Sequence, residues 1–516
     1  MKHPIVTQKK WLVVCFAVIA VLILPVILLY PFNADNDIWQ WIGTVFVRYG
    51  GLPYVAAWDN DFPAVGIVYS AAIYFVGNSM LAFRFVEYVA IFITLLALYR
   101  TCRLWLSERE SLLGTTIFSL FYAYGRMNCM GMRDNFALLP ILLACFYFVK
   151  AARKNDSRSN YWLIEAGGAM VGIATCIRPT FVLLLAVPIL TLYRITNLRA
   201  GISVLAGFLL PVLLMLLPFA LTPDGLSQAY FSAIRYNADI YNHFPPTAGR
   251  FSWYLHDLLQ LRILMIFILG AVWVTVYAIG RARGIPCVVA SHRERSFLLL
   301  FFGTLLFGMF SQQALSAVHF TPFYLGFIPV LTKMILDLTR NLGRWRPTAI
   351  AAVLIMIASV LYPWGLVRSF VEGGFSIEAA YQYFPDAFRL AQENDTIASY
   401  LTRHTDPNEF IEVIGDPGIS WRTARRKSNR FQGEWTFLFP SASGEITDYQ
   451  REWRTEFLQS LQQTSPRYIV ISRDHGETVS TLFNASIALT PEIKDFIQRY
   501  YILDTLLDIH SIYARR

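Results

Sequence analysis

A series of long apolar stretches, separated by short charged loops, is the feature that most constrains how this chain folds. A helix that crosses a membrane needs about 20 apolar residues, and shorter helices are tolerated inside a bundle. Only 15% of the 516 residues are charged, whereas soluble proteins average about 25%. This composition excludes an ordinary soluble enzyme and a disordered chain. The sequence predicts a polytopic α-helical membrane protein with about eleven transmembrane helices, near residues 11–30, 81–99, 111–125, 135–149, 161–177, 179–193, 200–221, 263–280, 296–311, 321–338 and 348–368.

The distribution of basic residues agrees with this number of spans. With the N-terminus in the cytoplasm, the loops on that side contain 19 lysines and arginines, and the opposite loops before residue 370 contain seven. Cytoplasmic loops of membrane proteins carry such an excess. A further apolar stretch at 66–76 would invert every later loop if it crossed, so we expect a re-entrant or interfacial helix there. The membrane therefore explains the basic charge, and no segment resembles a nucleic-acid-binding module.

The composition changes near residue 371. Residues 1–369 contain 29 Lys and Arg against 15 Asp and Glu, whereas residues 370–516 contain 15 against 20. Short buried strands are predicted at 410–414 and 468–472, amphipathic helices near 386–404 and 449–463, and a closing strand within 501–513. We therefore predict a transmembrane module at 1–370 and a small extracytoplasmic α/β domain at 371–516. Because no acid, base or phosphate motif converges in it, we expect this domain to be accessory.

The first long outer loop, residues 31–80, begins with two carboxylates, Asp35 and Asp37, directly after the first span. The segment 38–49 then has apolar residues at helical spacing, with Gln40, Thr44 and Arg48 away from that stripe. This pattern predicts an interfacial helix in the membrane plane. Asp37 would begin the helix, whose dipole is expected to keep the carboxylate ionised and to lower its basicity. Further along the loop, Asp59 and Asp61 are interpreted as solvated residues.

Other charged side chains lie in outer loops between later spans. They are Arg126, Arg133, Asp134, Arg178, Arg235 and His319. An anchoring ion pair or a structural histidine is the alternative interpretation of any one of them. As a set they suit one chemistry, because a carboxylate can take a proton from an acceptor hydroxyl. Arginines can hold a lipid-linked phosphate by bidentate hydrogen bonds and stabilise it as it leaves.

Two charges lie inside the second predicted span. Arg84 and Glu87 are three residues apart, so they share one face of a helix. Charges inside a span are costly and tend to be paired or functional. We predict a structural ion pair.

Several short motifs lie in the outer loops and at the ends of the predicted spans. They are the acidic stretch 33–39, Gly-Gly-Leu-Pro-Tyr at 50–54 with 58–63, 76–79 with 83–85, 132–135 and His319. In these motifs the chain resembles the GT-C superfamily of polyprenyl-phosphate-sugar-dependent glycosyltransferases, and within it the bacterial relatives of protein O-mannosyltransferases and of the lipid A aminoarabinose transferase. The chain departs from protein mannosyltransferases in having Asp-Asn-Asp instead of Asp-Glu at 35–37, and Phe320 instead of Tyr after the histidine. These departures argue against protein mannosylation.

The resemblance implies an inverting transfer of a sugar from a polyprenyl-phosphate donor to a cell-envelope acceptor, which is a lipid, a polysaccharide or a protein. It places the reaction on the outer face of the bacterial inner membrane. Asp37 is the expected base, with Asp35 as the alternative, and Asp134 would position the acceptor or the base, or help to hold a divalent cation. The expected ligands of the donor phosphate are Arg126, Arg133, Arg178 and His319. No cofactor is expected to be required.

Two other classes of protein share part of this pattern. A lipid or polysaccharide transporter, flippase or polymerase also has many spans and buried charges, but often shows repeated halves, and no such repeat is seen in this sequence. A structural scaffold or receptor would explain the outer domain and leave the clustered loop charges unexplained. The glycosyltransferase interpretation accounts for both features.

The odd number of spans predicts that the two ends of the chain lie on opposite sides of the membrane. A reporter that is active only in the cytoplasm should be inactive when fused after residue 516. The same reporter should be active when fused after Arg158, in a predicted cytoplasmic loop. Cytoplasmic activity after residue 516 would contradict the predicted topology.

Overall fold

The computed structural model describes residues 4–123, 130–154, 160–193, 198–240, 292–310, 385–423, 425–431, 445–472 and 491–516, with a few single positions between 321 and 376 and at 437. The α-helices of these residues are α1 (Pro4–Val18), α2 (Ala34–Tyr49), α3 (Ala64–Phe75), α4 (Met80–Cys102), α5 (Glu108–Ala123), α6 (Arg133–Arg153), α7 (Tyr161–Ile177), α8 (Ala186–Thr191), α9 (Leu198–Ala220), α10 (Gly225–Tyr230), α11 (Tyr236–Asp239), α12 (His292–Phe310), α13 (Pro385–His404), α14 (Pro417–Thr423), α15 (Asp448–Thr464) and α16 (Pro491–Tyr500). The strands are β1 (Phe410–Ile414), β2 (Arg426–Lys427), β3 (Tyr468–Ser472), β4 (Tyr501–Leu506) and β5 (His510–Arg515).

The predicted spans before residue 222, and the one at 296–311, correspond to helical segments of the structure. Four segments of the described chain are long and apolar enough to cross a membrane, namely Trp11–Leu29, α4, α6 and α9. Shorter apolar helices are present at α3, α7, Pro179–Thr191 and Ser296–Gly308. The spans predicted at 263–280, 321–338 and 348–368 lie outside the described residues, apart from single positions.

The chain divides into two compact units. The first contains Met1–Leu28, Arg84–Met215 and Pro246–Trp364, and the second contains Leu29–Phe83, Leu216–Pro245 and Gly365–Arg516. The described residues after 365 therefore fold together with most of the first long outer loop and with residues 216–240.

Small residues allow close helix packing in the first unit. A Cβ atom at Gly168 of α7 would lie 2.2 Å from the carbonyl oxygen of Val204 in α9, and one at Gly167 would lie 2.5 Å from the Phe148 ring of α6. The backbone of α7 can approach both neighbours only because these side chains are missing, as is common between transmembrane helices. Helix α9 leaves apolar side chains such as Leu210 and Leu213 exposed, which is typical of a face that contacts lipid.

The second unit contains a five-stranded sheet in the order β2-β1-β3-β5-β4. Strands β2, β1 and β3 are parallel, and β5 pairs antiparallel with both β3 and β4. Apolar side chains of α13 cover one cluster of strand residues, which includes Ile411 and Val470, and side chains of α15 and α16 cover another, which includes Ile469. The predicted strands 410–414 and 468–472 and both predicted helices are confirmed.

The single closing strand predicted within 501–513 is wrong. The segment forms the hairpin β4–β5, in which the backbone N–H of Leu507 donates to the carbonyl of His510. As a result β5, the later of the two strands, lies inside the sheet, and β4 forms its edge.

Helix α2 differs from the predicted interfacial helix in two ways. It begins at Ala34 rather than near residue 38, because the side chain of Asn33 accepts a hydrogen bond from the backbone of Asn36 and caps the first turn. Gln40 and Thr44, which lie away from the apolar stripe of the predicted interfacial helix, are both fully buried. Helices α3 and α14 pack against α2, and its polar residues find protein partners instead of water.

Candidate active site

The structure places the predicted site residues in different parts of the chain. Asp35 and Asp37 lie in the second unit, and Arg133, Asp134 and Arg178 lie in the first. Arg126 and His319 lie outside the described residues. Each unit is described in turn.

Two neighbouring side chains of α14 hold the carboxylate of Asp37. Nε1 of Trp421 donates to Oδ1 of Asp37 at 2.7 Å, and Nη1 of Arg422 donates to the same oxygen at 3.3 Å. The Asp37 side chain retains 9% of its exposure. Asp35 is exposed, because a separation of two residues turns a side chain to the opposite side of a helix. Asp37 is therefore buried and hydrogen-bonded by α14, whereas Asp35 is exposed.

The guanidinium of Arg422 is itself fixed from several directions. It stacks 4.2 Å over the ring of Trp421, and its Nε donates to Asp395 at 2.9 Å. Its Nη1 also donates to the carbonyl of Gly418 at 2.8 Å. Because α14 closely follows β1, the carboxyl end of this strand determines where Trp421 and Arg422 meet α2.

A second acid, Asp416, lies at the end of β1 beside this arginine. Its Oδ1 accepts from the backbone of Gly418 at 2.7 Å, and its Oδ2 accepts from Nδ2 of Asn394 at 3.0 Å. Nε2 of His510 lies 3.4 Å from Oδ2, and Nδ1 of His510 lies 2.9 Å from Oε1 of Glu393. The imidazole is therefore placed between two carboxylates.

Burial raises the pKa of Asp37 to about 6, and the nearby negative charge of Asp416 acts in the same direction. Arg422 and the hydrogen bond from Trp421 oppose this rise. The expectation of a lowered basicity at Asp37 is wrong, because burial and the charge of Asp416 raise the pKa of its carboxyl group.

At Asp416 and His510, nearby charges and hydrogen bonds outweigh the effect of burial on the pKa. Burial would raise the pKa of Asp416, but hydrogen bonding to His510 and Asn394 and the charges of His510 and Arg422 hold it below its ordinary value. Burial would lower the pKa of His510, but Asp416 and Glu393 raise it. Asp416 is thus held ionised beside a carboxyl group whose pKa is raised.

In the first unit, Asp134 and Arg178 form a buried salt bridge. Asp134 lies in the first turn of α6, and Arg178 ends α7 just before Pro179. Their side chains are 0% and 3% exposed. A predicted acceptor-positioning acid and a predicted phosphate ligand are therefore partners, while Arg133 is partly exposed at the start of the same helix.

The predicted pair of Arg84 and Glu87 is confirmed at 2.6 Å, with both side chains fully buried. Glu87 also accepts from Oη of Tyr122 at 2.6 Å and from the backbone of Gly131 at 2.5 Å. This carboxylate therefore fixes the turn that leads into α6, and with it the position of Asp134.

Sequence reasoning missed the contribution of the C-terminal domain. The expectation that no acid and base converge there is wrong, because Asp416, His510 and Glu393 meet beside Arg422. One clue was present in the sequence, since Asp416 follows a buried parallel strand, where polar site residues often lie. Nothing local connects His510 or Trp421 to Asp37. The prediction that Asp59 is solvated is also wrong, because it is buried.

No group of three or more His, Cys, Asp or Glu within the described residues has an arrangement that could hold a metal ion. Asp134, the predicted contributor to a cation site, is engaged by Arg178. The described residues do not fit a divalent cation, so no chemical step is assigned to one.

Comparisons with known proteins give the following likenesses. Residues 62–222 match the family described as dolichyl-phosphate-mannose-protein mannosyltransferase. A structure of ArnT from Cupriavidus metallidurans bound to undecaprenyl phosphate is similar with a TM-score of 0.60 and 12% identity, over 98% of this chain and 98% of that chain. The apo structure of the same protein gives a TM-score of 0.59, also with 12% identity and 98% coverage of both chains.

An oligosaccharyltransferase from Archaeoglobus fulgidus, in complex with Zn and sulfate, is similar with a TM-score of 0.48 and 13% identity, over 89% of this chain and 68% of that chain. A comparison with curated protein sequences gives no match. The likeness to ArnT extends over nearly the full length of both chains, and it shows that the two proteins share a fold.

The buried salt bridge predicts strong energetic coupling between Asp134 and Arg178. Arg178→Gln removes the cation beside a buried carboxylate and should destabilise the protein by about 3–5 kcal/mol. Adding Asp134→Asn should recover part of this loss. Equilibrium unfolding in detergent micelles of the two single variants and the double variant measures the coupling. Strictly additive effects would contradict it.

Proposed function

We propose that this chain, whose GT-C superfamily fold the sequence predicts and the comparisons confirm, is an integral-membrane glycosyltransferase. Its donor is a polyprenyl-phosphate-linked sugar, and its acceptor is a hydroxyl group of a cell-envelope lipid, polysaccharide or protein. The reaction takes place on the outer face of the bacterial inner membrane, with the N-terminus in the cytoplasm and the C-terminal domain outside. The single observation that carries the proposal is the environment of Asp37.

The reaction follows from the chemistry of the donor. Asp37 takes the proton of the acceptor hydroxyl while the hydroxyl oxygen attacks the anomeric carbon of the sugar. The bond from this carbon to the phosphate oxygen breaks on the opposite side, so the configuration inverts, and the polyprenyl phosphate leaves with the electron pair. Because phosphate is a good leaving group, the step needs cationic stabilisation of the phosphate rather than a strong acid.

Three features suit Asp37 to this role. Both side-chain hydrogen bonds end on Oδ1, so they fix the plane of the carboxylate without engaging Oδ2. The residual exposure of the side chain leaves a path for a hydroxyl group. A pKa of about 6 keeps the group ionised at pH 7 while preserving its basicity, which is the compromise that general-base catalysis requires.

The proposed ligands of the donor phosphate remain Arg126, Arg133, Arg178 and His319. Arg133 is the first residue of α6, and the N-terminus of a helix favours an anion. Arg178 is oriented by Asp134. We propose that Asp134 acts mainly by holding this arginine, and that Glu87 holds the turn that precedes both Arg133 and Asp134.

Replacing the base should abolish turnover while leaving the fold and donor binding intact. Asp37→Asn is expected to lower the rate of sugar transfer by roughly 10²–10⁴-fold. The measurement is transfer from labelled polyprenyl-phosphate sugars, supplied one at a time to purified protein in proteoliposomes with a cell-envelope extract. Asp35→Asn is the matched control and should retain most of the activity. Near-wild-type transfer by Asp37→Asn would contradict the base role.

The raised pKa of Asp37 predicts the acidic side of the pH profile. Only the ionised carboxylate accepts a proton, so kcat/KM should be constant above about pH 6 and fall by about tenfold per pH unit below it. The same shift has a consequence for stability, because a carboxylate with a raised pKa favours the folded state at low pH and loses this contribution as the pH rises through about 6. A kcat/KM that stays constant between pH 5 and pH 7 would contradict the assignment of Asp37 as the base.

A further inference from the structure

Two groups of opposite charge face the carboxylate of Asp37 from the C-terminal part of the second unit. Arg422 donates to it directly, and Asp416 raises its pKa through space. Both belong to the short segment between the end of β1 and the end of α14. An acid held between a cation and an anion has a protonation equilibrium that depends on the balance of the two.

Close packing around Gly418 fixes the positions of Asp416 and Arg422. A Cβ atom at Gly418 would lie 2.8 Å from Oδ1 of Asp416, 2.8 Å from Nη1 of Arg422 and 2.7 Å from Nδ2 of Asn394. The three polar groups therefore converge around a position that only glycine leaves open. The nitrogen that contacts Asp37 is the same Nη1 that approaches Gly418.

Groups further out maintain the charge of Asp416. His510 lies between Asp416 and Glu393, and Asn394 donates to the same carboxylate. Asp395 engages the outer side of Arg422 and is 70% exposed. Helix α3, which also packs against α2, has no acidic or basic residue in its sequence apart from its tyrosines. Among the described residues, the field at Asp37 is therefore set mainly by Asp416 and Arg422.

We infer that Asp416 and Arg422 are positioning residues, which hold Asp37 between opposite charges and so determine the pH at which it is ready to accept a proton. The inference rests on the proposed function for its catalytic meaning. It assigns to the C-terminal domain a part in the chemistry that the sequence did not indicate. Neither residue is required to touch the donor or the acceptor.

The test measures the titration of Asp37 in the purified full-length protein without any donor. The infrared band of the protonated carboxyl group is followed against pH, and the band that disappears in Asp37→Asn identifies the residue. Asp416→Asn removes the anion and should move the midpoint to lower pH by about one unit. Arg422→Gln removes the cation and should move it to higher pH by a similar amount.

Opposite shifts separate this inference from a merely structural role, because a loosened site would move both variants in the same direction. Asp448→Asn is the matched control, since it neutralises an exposed aspartate of the same domain and should leave the midpoint unchanged. Unchanged midpoints, or shifts of one sign in both variants, would overturn the inference. If Asp416→Asn does not fold, Arg422→Gln decides alone, because an unchanged or lowered midpoint contradicts the inference.

Activity measurements distinguish this inference from the proposed function. The acidic limb of kcat/KM should follow the infrared midpoint in each variant. If Asp37→Asn retains full transfer, the proposed base role fails whatever the titrations show. If Asp37→Asn is inactive and the midpoints do not move apart, only the inference about Asp416 and Arg422 fails.

Discussion

The buried carboxylate of Asp37 is the constraint on which the arrangement of the second unit depends. Removing a charged or polar group from water is costly unless hydrogen bonds replace the water. Trp421 and Arg422 supply those bonds from a helix that follows the first strand of the sheet. The hydrogen bonds that replace water around this carboxylate therefore hold α2 against α14, which follows the carboxyl end of β1.

In the first unit, ion pairs neutralise the buried charges within an apolar helical environment. Arg84 and Glu87 neutralise each other within one helix, and Asp134 and Arg178 do so between two. Glu87 additionally binds the hydroxyl of Tyr122 and the backbone before α6. Such pairs contribute little net stability when complete and cost several kcal/mol when broken. Their main effect is to fix where the helix ends lie.

Patterns of hydrophobicity predict secondary-structure elements well, but they do not identify which side chains contact each other. The runs at 410–414 and 468–472 are short and mostly apolar, so they are predicted to be buried strands, and the structure has them with the same bounds. The side chains that determine the behaviour of Asp37 are about 380 residues away in the chain. Periodicity identifies the apolar face of a helix and does not say what covers the other faces, and Gln40 and Thr44 are buried although they lie away from the apolar stripe.

The pKa of Asp37 likewise depends on one effect that is local in the sequence and on others that require the tertiary structure. The local effect at Asp37, a helix N-terminus, can be deduced from neighbouring residues, and it favours the ionised form. Burial and the charge of Asp416 depend on the tertiary structure, and the net shift of the pKa is upward. The sequence therefore proposes Asp37 as a candidate, but the basicity of its carboxylate cannot be deduced without the fold.

The position of β5 inside the sheet has a consequence for the order in which the protein matures. Residues 34–49 leave the ribosome early, yet the partners of Asp37 depend on a sheet whose inner strand is made only when synthesis reaches residues 510–515. Until then Asp416 lacks its contact with His510. A chain whose synthesis has not yet reached residue 515 therefore contains Asp37 without the complete sheet that positions its partners.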